Sequence, residues 1–353
     1  MESTPHGDYS GTRLDWNECP LGPSPRAIAR VRTASTALHR YPRGLLGEVT
    51  AAVAAHEHVS CDAVLLTNGV DEAVDLVLAL TDTGWYVSPG FDSYPDRAIV
   101  RGVTMRRIGL DADWQPAVAA HHLRSRGTVF VAQPHNPTGN LFHADWLDDV
   151  MHGADLVFLD TTYADFSDDP AAWAPAARTA GRHPQLLHFR SFSKSHGLAG
   201  IRLGALIGAP SLIRELSRRQ RFHSVDSVAL HALAGSLEDP GHRARIREQV
   251  LTMRPEYVRA LRRHPLFAEV RDTQANFVVS RCRPGTDSAD ITQALADADV
   301  WVRDSGPLGL AGWLRISVGT ADDLTRLLSA LDTVRTHVSI PRPSPRPLGA
   351  PTP

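Results

Sequence analysis

The chain has 353 residues, of which 42% are hydrophobic and 22% are charged, and its formal net charge at pH 7 is -2. These values are ordinary for a globular protein with one large domain and a smaller one. Nucleic acids and anionic membranes select strongly basic surfaces, so this balance argues against both as main partners. The three cysteines, Cys19, Cys61 and Cys282, lack C-x-x-C spacing, which favours a reducing compartment. No apolar signal segment or membrane span is evident, so we expect a cytoplasmic protein.

Short apolar runs alternate with helical patterns along the first two thirds of the chain. The apolar runs predict buried strands at 63–67, 128–133, 156–160, 185–193 and 202–208. Helical spacing follows in NGVDEAVDLVLAL, in DWLDDVMHG and in LIRELSRRQ. Strands that alternate with helices are typical of βαβ units, so the sequence predicts an α/β fold with a mostly parallel central sheet.

A second pattern begins near residue 276, where NFVVS, WVRD and WLRISVG alternate with two further helical stretches. It predicts a smaller α/β unit, joined to the first by a long helix at 247–264. The predicted division is an N-terminal segment at 1–40, a large domain at 41–270, a small domain at 271–338 and a proline-rich tail at 339–353, extended or disordered.

Polar groups follow four of the predicted strands, namely NGVDEA, HNPTG, Asp160 and SFSK. Ligands of open α/β sheets bind at the carboxyl ends of the strands. The amides around Val70 and Asp71 would lie at a helix N-terminus, which suits a phosphate, although this motif taken alone is more simply explained by Asp71 capping the helix. Asp160 suits either a solvated strand end or a carboxylate that stabilises the proton on a ring nitrogen.

The stretch SFSKSHGLAGIRLG places one amine, that of Lys194, among serine hydroxyls, with Arg202 a short distance further on. A lysine amine is nucleophilic only when neutral, and burial or neighbouring cations lower its pKa. Arg202 offers a planar fork for phosphate, and Ser191 and Ser193 add hydroxyl donors. Each residue alone is ordinary, but together they favour a catalytic site.

These motifs together resemble those of fold-type I pyridoxal-phosphate enzymes of the aminotransferase class I/II superfamily, and more narrowly the histidinol-phosphate aminotransferases. The resemblance runs from LDWNECPLGPSP (14–25) to GWLRISVGTADDLTRLLSAL (312–331). Its most specific parts are HNPTG, SFSKSHGLAGIRLG and VRD…LRISVGT. It implies that the large domain binds pyridoxal 5'-phosphate (PLP) and that the N-terminal segment covers the active site.

The resemblance also implies roles for individual residues. Lys194 would carry the cofactor as a Schiff base, and Asp160 would face the pyridinium nitrogen. The other cofactor contacts that it implies are Gly69, Val70, Asp71, Ser191, Ser193 and Arg202 at the phosphate, Asn136 and Tyr163 at the phenolic oxygen, Tyr94 on the ring face, and Tyr41 from a neighbouring subunit. The resemblance also implies a catalytic role for Tyr163. Arg315 would bind the substrate α-carboxylate, Arg303 the far end of the substrate, and Asn17 would lie in the covering segment.

The function implied is transfer of an amino group from a histidinol-phosphate-like or aromatic donor to a 2-oxo acid, by a ping-pong mechanism in a homodimer. A PLP-dependent decarboxylase similar to the threonine-phosphate decarboxylases, another specialised PLP enzyme, or a cofactor-binding protein without catalysis are the alternatives. The sequence reads DTTY where the family has DEAY, and Cys19, Arg43 and Val70 also depart from the pattern; these changes favour a specialised donor. The histidines of HEH (56–58) and HH (121–122) lack metal-site spacing, so no metal is predicted.

Overall fold

The computed structural model describes residues 11–173 and 183–337. The tail predicted at 339–353 lies outside the described residues. Within the described residues, twelve strands form two sheets: β1 Thr12–Leu14, β2 Val64–Thr67, β3 Thr83–Val87, β4 Thr104–Ile108, β5 Thr128–Ala132, β6 Leu156–Asp160, β7 Leu186–Ser191, β8 Gly204–Gly208, β9 Phe267–Arg271, β10 Phe277–Cys282, β11 Val300–Asp304 and β12 Trp313–Ser317.

The α-helices of the described residues lie between these strands. They are α1 Pro25–Ala34, α2 Leu45–His56, α3 Gly69–Leu78, α4 Ser93–Arg101, α5 Ala144–Gly153, α6 Pro210–Ser217, α7 Ser227–Leu237, α8 Pro240–Arg263, α9 Ser288–Ala296 and α10 Ala321–His337. Capping explains several of their starts, since Ser24, Asp226 and Asp287 each accept a backbone N–H from the first helical turn. Leu80, which the periodicity placed in the third helix, lies two residues beyond its end.

The larger sheet has seven strands in the order β2-β8-β7-β6-β5-β3-β4. Strands β7, β6, β5, β3 and β4 run parallel, and β8 runs antiparallel to both of its neighbours, β2 and β7. The prediction of a mostly parallel central sheet is confirmed. Because β2 and β7 are both antiparallel to β8, they point in the same direction. The loops after β2, β3, β5, β6 and β7 therefore all leave one edge of the sheet.

Apolar side chains cover both faces of this sheet. Phe130, Phe158 and Phe189 point to the face covered by α3, α4 and α6. The alternate residues of the same strands, among them Val129 and Val157, face α5 on the other side. The sheet therefore forms the middle layer of three, as the near-continuous apolar strands predicted.

The second sheet has five strands in the order β1-β11-β12-β10-β9. Its β1 comes from the N-terminal segment and pairs in parallel with β11, with Thr12 opposite Val300. Side chains from α8, α9 and α10 pack against this sheet in one apolar cluster. The short β1 strand therefore connects the start of the described chain to its last third. Within residues 11–173 and 183–337, no helix combines the length and the apolar character needed to cross a bilayer.

Helices α1 and α7 pack so closely that their contact leaves no room for a side chain at Gly235. A Cβ atom added to Gly235 of α7 would lie 2.6 Å from the carbonyl oxygen of Arg26 and 2.7 Å from the Cα atom of Ala27. Both neighbours are backbone atoms of α1, which cannot rotate away. We therefore expect Gly235→Ala to destabilise the fold by about 1–3 kcal/mol through overpacking, measured as a lower thermal midpoint.

Gly47 of α2 provides the matched control, because a Cβ atom there would meet nothing within 4 Å. Gly47→Ala should leave the midpoint unchanged or raise it, since alanine is the better helix former by roughly 1 kcal/mol. Equal midpoints for the two variants would show that α1 does not constrain Gly235.

Candidate active site

A pocket of polar side chains lies at the sheet edge where the parallel strands end. Asp160 is the last residue of β6, Asn136 follows β5, and Lys194 follows β7. The segment after β2 begins α3 with Gly69 and Asp71. The sheet topology thus brings together the four polar groups that the sequence placed at predicted strand ends.

Asp160 lies at the floor of this pocket and is 7% exposed. Its Oδ1 accepts hydrogen bonds from the backbone N–H of Thr162 at 2.9 Å and from the Thr162 hydroxyl at 2.6 Å. Its Oδ2 accepts a third from the Tyr94 hydroxyl at 3.0 Å. Burial raises the pKa of Asp160, while the bonds from Thr162 and Tyr94 act in the opposite direction. A cation placed against this carboxylate would relieve the remaining cost of its burial.

Tyr94 lies between the core and the floor of the pocket, and its stacking on the cofactor ring stays a prediction. Its side chain is 2% exposed, and its ring packs against Phe130 and Phe158 in the core. Its hydroxyl is committed to Asp160. Phe91 of the same loop lies against the Tyr94 ring and retains exposed surface. The geometry makes Tyr94 a residue that positions Asp160.

Lys194 is the only lysine of the sequence and lies half-buried beside this floor. Its Nζ donates a hydrogen bond to the carbonyl oxygen of Trp16 at 2.7 Å. Burial, with a smaller contribution from the nearby charges of Arg315 and Arg202 and against the effect of Glu18, lowers the pKa of Lys194 to about 8. The amine is therefore closer to its neutral, nucleophilic form than an ordinary lysine.

Arg202, Asp71 and Gly69 meet at the start of α3. An Arg202 Nη2 lies 3.3 Å from an Asp71 oxygen, and the Ser93 hydroxyl donates to the other Asp71 oxygen at 2.7 Å. Gly69 has φ +68°, and a Cβ atom there would lie 3.1 Å from Arg202 Nη2. A side chain at 69 would therefore crowd the guanidinium, whereas glycine leaves the helix N-terminus and Arg202 open to an anion. The Ser191 hydroxyl, which accepts from the Ser193 amide at 3.2 Å, lies on the next loop.

Arg315 of β12 connects the two sheets across the pocket and is 8% exposed. Its Nη1 donates to Asn136 Oδ1 at 2.9 Å, and its Nη2 donates to the carbonyl oxygen of Asp15 at 2.8 Å. The Arg315 charge also acts on the pKa of Tyr163, which burial raises. Arg303 of β11 lies directly opposite Arg315 in the antiparallel ladder and is half-buried.

Asn17 fixes the N-terminal segment over the pocket. Its Nδ2 donates to the Tyr163 hydroxyl at 3.0 Å, its backbone N–H donates to Ser317 Oγ at 2.8 Å, and its carbonyl oxygen accepts from Asn276 Nδ2 at 3.0 Å. Its backbone is left-handed, with φ 53°, a conformation that asparagine tolerates better than most residues.

The predicted site residue Tyr41 lies outside this cluster, and two buried histidines lie close in sequence to Asn136 and Lys194. Tyr41 is 74% exposed, and its ring stacks on His223 with centroids 5.0 Å apart. His135 is buried against Thr138, with a ring nitrogen 2.7 Å from its hydroxyl, and burial lowers the pKa of His135 to about 3. His196 contacts the Ser236 hydroxyl at 2.9 Å, and burial likewise lowers its pKa to about 3. Both histidines are therefore neutral packing residues.

Sequence reasoning missed three residues that complete the site. Thr162 supplies two hydrogen bonds to Asp160, Ser93 holds Asp71, and Asp15 holds Arg315 through its carbonyl oxygen. Thr162 was noted only as a departure from DEAY, although a hydroxyl two residues after a strand-end carboxylate is a signal for such a bond. No sequence signal points to a backbone carbonyl such as that of Asp15.

Comparison with known proteins identifies the family. Residues 10–331 match the family model described as aminotransferase class I and II. The chain belongs to the class I and II aminotransferase family. Histidinol-phosphate aminotransferase 2 of Thiobacillus denitrificans is 33% identical over 330 residues, which cover 90% of each protein. Histidinol-phosphate aminotransferase of Halobacterium salinarum is 31% identical over 341 residues, or 91% of this chain and 90% of that protein.

A solved structure supports the same conclusion at the level of the fold. Histidinol-phosphate aminotransferase of Sinorhizobium meliloti, in complex with pyridoxal-5'-phosphate, matches with a TM-score of 0.82 at 20% identity, over 93% of this chain and 92% of that chain. The resemblance and the fold-type I architecture predicted from the sequence are confirmed. The chain is a PLP-dependent aminotransferase by family, and PLP is its cofactor.

The residues present fit this cofactor. The opening beside Gly69 and Arg202 suits a phosphate, the buried Asp160 carboxylate suits a cationic ring nitrogen, and the amine of Lys194 has a lowered pKa. These three features are the phosphate, ring and aldehyde contacts that PLP requires.

The hydrogen bond from Tyr94 to Asp160 generates a direct test. Tyr94→Phe removes one of the bonds that stabilise the charged carboxylate, so the pKa of Asp160 should rise and its hold on a cationic ring should weaken. We expect PLP to bind about tenfold more weakly, because a hydrogen bond to a charged group contributes about 1.5–3 kcal/mol. Titration of the apoprotein with PLP, followed by absorbance, measures this loss.

Tyr86→Phe is the control for this test, since Tyr86 is a buried tyrosine of β3 whose hydroxyl accepts from Arg107 Nε at 3.0 Å. It should bind PLP like the unmodified protein. An unchanged affinity in Tyr94→Phe would refute the assigned role of the Tyr94 hydroxyl.

Proposed function

We propose that the protein transfers an amino group from a histidinol-phosphate-like or aromatic amino donor to a 2-oxo acid, by a ping-pong mechanism with the cofactor attached covalently to Lys194. The observation that carries the proposal is the state of Lys194. Its amine, with a pKa of about 8, lies in a pocket that also holds a buried carboxylate and a buried guanidinium. Those are the groups needed for a nucleophile, a ring contact and a substrate anchor.

Several groups around the pocket would hold the cofactor. Arg202, the amides of Val70 and Asp71, and the hydroxyls of Ser191 and Ser193 would hold the phosphate. Asp160 would hold the proton on the ring nitrogen, and Asn136 and Tyr163 would hydrogen-bond the phenolic oxygen. When bound, PLP supplies an aldehyde for amines and an electron-withdrawing ring that makes the substrate Cα–H acidic.

Lys194 would then move the proton at the substrate Cα. General acid–base groups work best when their pKa lies near the working pH, and a pKa of about 8 satisfies that condition. The carbonyl oxygen of Trp16 gives the free amine a fixed acceptor at 2.7 Å. The amine is therefore held within the pocket when it is not bonded to the cofactor.

Arg315 would anchor the substrate carboxylate. Its guanidinium is oriented by Asn136 and by the carbonyl oxygen of Asp15, and its Nε has no hydrogen-bond partner among the described residues. An unpartnered buried donor is costly, so a substrate carboxylate would offset that cost. Arg303, on the same face of the sheet, would contact the more distant part of the substrate.

We also propose a homodimer in which Tyr41 contacts the cofactor phosphate of the partner subunit, and a cytoplasmic location. Tyr41 lies in a chain region with further exposed apolar side chains, namely Leu38 at 61% and Leu46 at 45%, and its stacking partner His223 follows Phe222, which is 89% exposed. Exposed apolar surface of this kind is typical of subunit interfaces. The symmetry of a two-fold dimer would place each Tyr41 at the other subunit's site.

The half-reactions test the proposed chemistry. Mixed with an amino donor and no acceptor, the holoenzyme should convert its bound cofactor once, seen as a stoichiometric absorbance change, and a 2-oxo acid should then reverse it. Lys194→Ala should abolish this conversion, because both the attachment point and the proton carrier are lost. Arg259→Ala should retain it, since Arg259 is an exposed residue of α8 that pairs with Glu256.

A panel of histidinol phosphate, aromatic amino acids and other donors identifies the substrate in the same assay. Release of CO2 in place of conversion by a 2-oxo acid would contradict transamination and indicate the decarboxylase. A conversion that survives in Lys194→Ala would exclude Lys194 from the proton transfer.

Attachment of PLP should depend on pH through the same amine. Since only the neutral amine attacks an aldehyde, the attachment rate of the apoprotein should rise with pH and level off above about 8, the pKa of Lys194. Stopped-flow absorbance measures the rate, and Lys194→Ala corrects for the α-amino group, the only other amine of the chain. A rate that continues to rise to pH 10 would show that the Lys194 pKa is not lowered.

A further inference from the structure

The loop between β3 and α4 crosses the pocket and carries one carboxylate with no assigned role. Asp92 lies in this loop, and the two residues after it are fixed in the site: Ser93 donates to Asp71, and Tyr94 donates to Asp160. Near the start of the loop, the Cβ atom of Pro89 would lie 3.3 Å from a Cβ atom added to Gly309, in the loop between β11 and β12. The loop therefore reaches from the cofactor side of the pocket to the substrate side.

The substrate side contains two arginines that face each other. Arg303 and Arg315 are directly opposed in the β11–β12 ladder, so their side chains leave the same face of the sheet. Like charges in that position repel each other, and the Arg303 charge lowers the pKa of Arg315, in addition to the larger effect of burial. The charges of the carboxylates of Asp15 and Asp92 act on Arg315 in the opposite direction, as does Tyr163. Asp15 is already paired with Arg13 at 3.0 Å.

Asp92 is the other carboxylate whose charge acts on the arginine pair of Arg303 and Arg315. Its side chain is half-buried and does not cap α4, although it occupies the cap position. The Asp92 carboxylate makes no hydrogen bond or ion pair to any residue within 11–173 and 183–337, and only the backbone carbonyl oxygen of Asp92 accepts the N–H of Asp96, at 3.1 Å. Burial and the neighbouring Asp96 raise the pKa of Asp92, whereas the charges of Arg303 and Arg315 lower it. A half-buried carboxylate without a partner is costly unless it serves the site.

We propose that Asp92 is a specificity-determining residue that makes the pocket prefer a substrate carboxylate over a phosphate ester. Two guanidinium groups and one carboxylate leave one positive charge on the substrate side. That charge matches the single negative charge of an amino acid or 2-oxo acid carboxylate and falls short of a phosphate dianion. The inference rests on the proposed function, which places the substrate on Arg315 and Arg303, and it narrows the donor to α-amino acids such as the aromatic ones.

The effect of the Asp92 charge depends on the charge of the bound anion. The repulsion between Asp92 and a bound anion scales with the charge of that anion. If removal of the Asp92 charge strengthens the binding of a monoanion about threefold, it should strengthen that of a dianion by the square of this factor, about tenfold. A role in packing or helix stability alone would change both affinities equally.

Anion binding to the holoenzyme tests the proposal without turnover. Dissociation constants for acetate and for inorganic phosphate are measured at pH 8 and constant ionic strength by the absorbance of the bound cofactor or by calorimetry. Asp92→Asn keeps the shape and removes the charge, so phosphate should gain about tenfold and acetate about threefold. Asp92→Ala is the second variant, in case the asparagine disturbs the loop. Asp96→Asn, an exposed carboxylate of α4, is the matched control and should change the ratio less than twofold.

Equal changes for the two anions in both Asp92 variants, or no change, would overturn the proposal. The amino-donor panel separates it from the proposed function. If the unmodified enzyme converts no donor while Asp92→Asn still shifts the phosphate-to-acetate ratio, transamination fails and the assignment of Asp92 stands. If donors are converted and the phosphate-to-acetate ratio does not shift, transamination stands and the assignment of Asp92 fails. With both intact, Asp92→Asn should raise the relative kcat/KM of histidinol phosphate over phenylalanine about threefold or more.

Discussion

A carboxylate buried at the end of a central strand is the constraint on which this site depends. Asp160 is 7% exposed, and its three hydrogen bonds come from two residues, Thr162 and Tyr94. The Tyr94 ring packs on Phe130 and Phe158, which also hold α3 and α4 against the sheet. The core that stabilises the large sheet thus also fixes the charge at its edge. Because burial still raises the pKa of Asp160, the folded chain has a site that a cationic ring completes.

The N-terminal segment joins the parts of the site that lie on different sheets. Three consecutive residues make these connections. The backbone carbonyl oxygen of Asp15 accepts from Arg315, that of Trp16 accepts from Lys194, and the side-chain amide of Asn17 donates to the Tyr163 hydroxyl. Pairing of β1 with β11 holds the segment in register with the small sheet. The proposed substrate anchor, nucleophile and ring contact are therefore positioned by one short stretch of chain, so a displacement of this stretch would disturb all three together.

The sequence predicts well those features that local pattern determines. Apolar runs located β5, β6 and β7 to within a residue or two, and chemistry at strand ends located Asp160 and Lys194. It predicts poorly what long-range packing decides. The hydrogen bond from Tyr94 to Asp160 has no local signal, because the packing of the Tyr94 ring against Phe130 and Phe158 decides it. The three-residue strand β1 has no pattern of its own, since its partner lies almost 300 residues further on, with Thr12 opposite Val300.

The two anion-binding ends of the pocket differ in how their arginines are balanced. At the cofactor end, Arg202 faces Asp71, and both side chains are about half exposed, at 47% and 53%. An exposed ion pair is worth about 0–1 kcal/mol, so a phosphate would replace Asp71 on Arg202 at little cost. At the substrate end, Arg315 is buried, and the half-buried carboxylate of Asp92 already balances part of the arginine charge there. Water screens the charges at the cofactor end, so the net charge of a ligand matters little there. At the substrate end the protein excludes water, so the net charge of a ligand affects its binding strongly, and this end distinguishes between substrates.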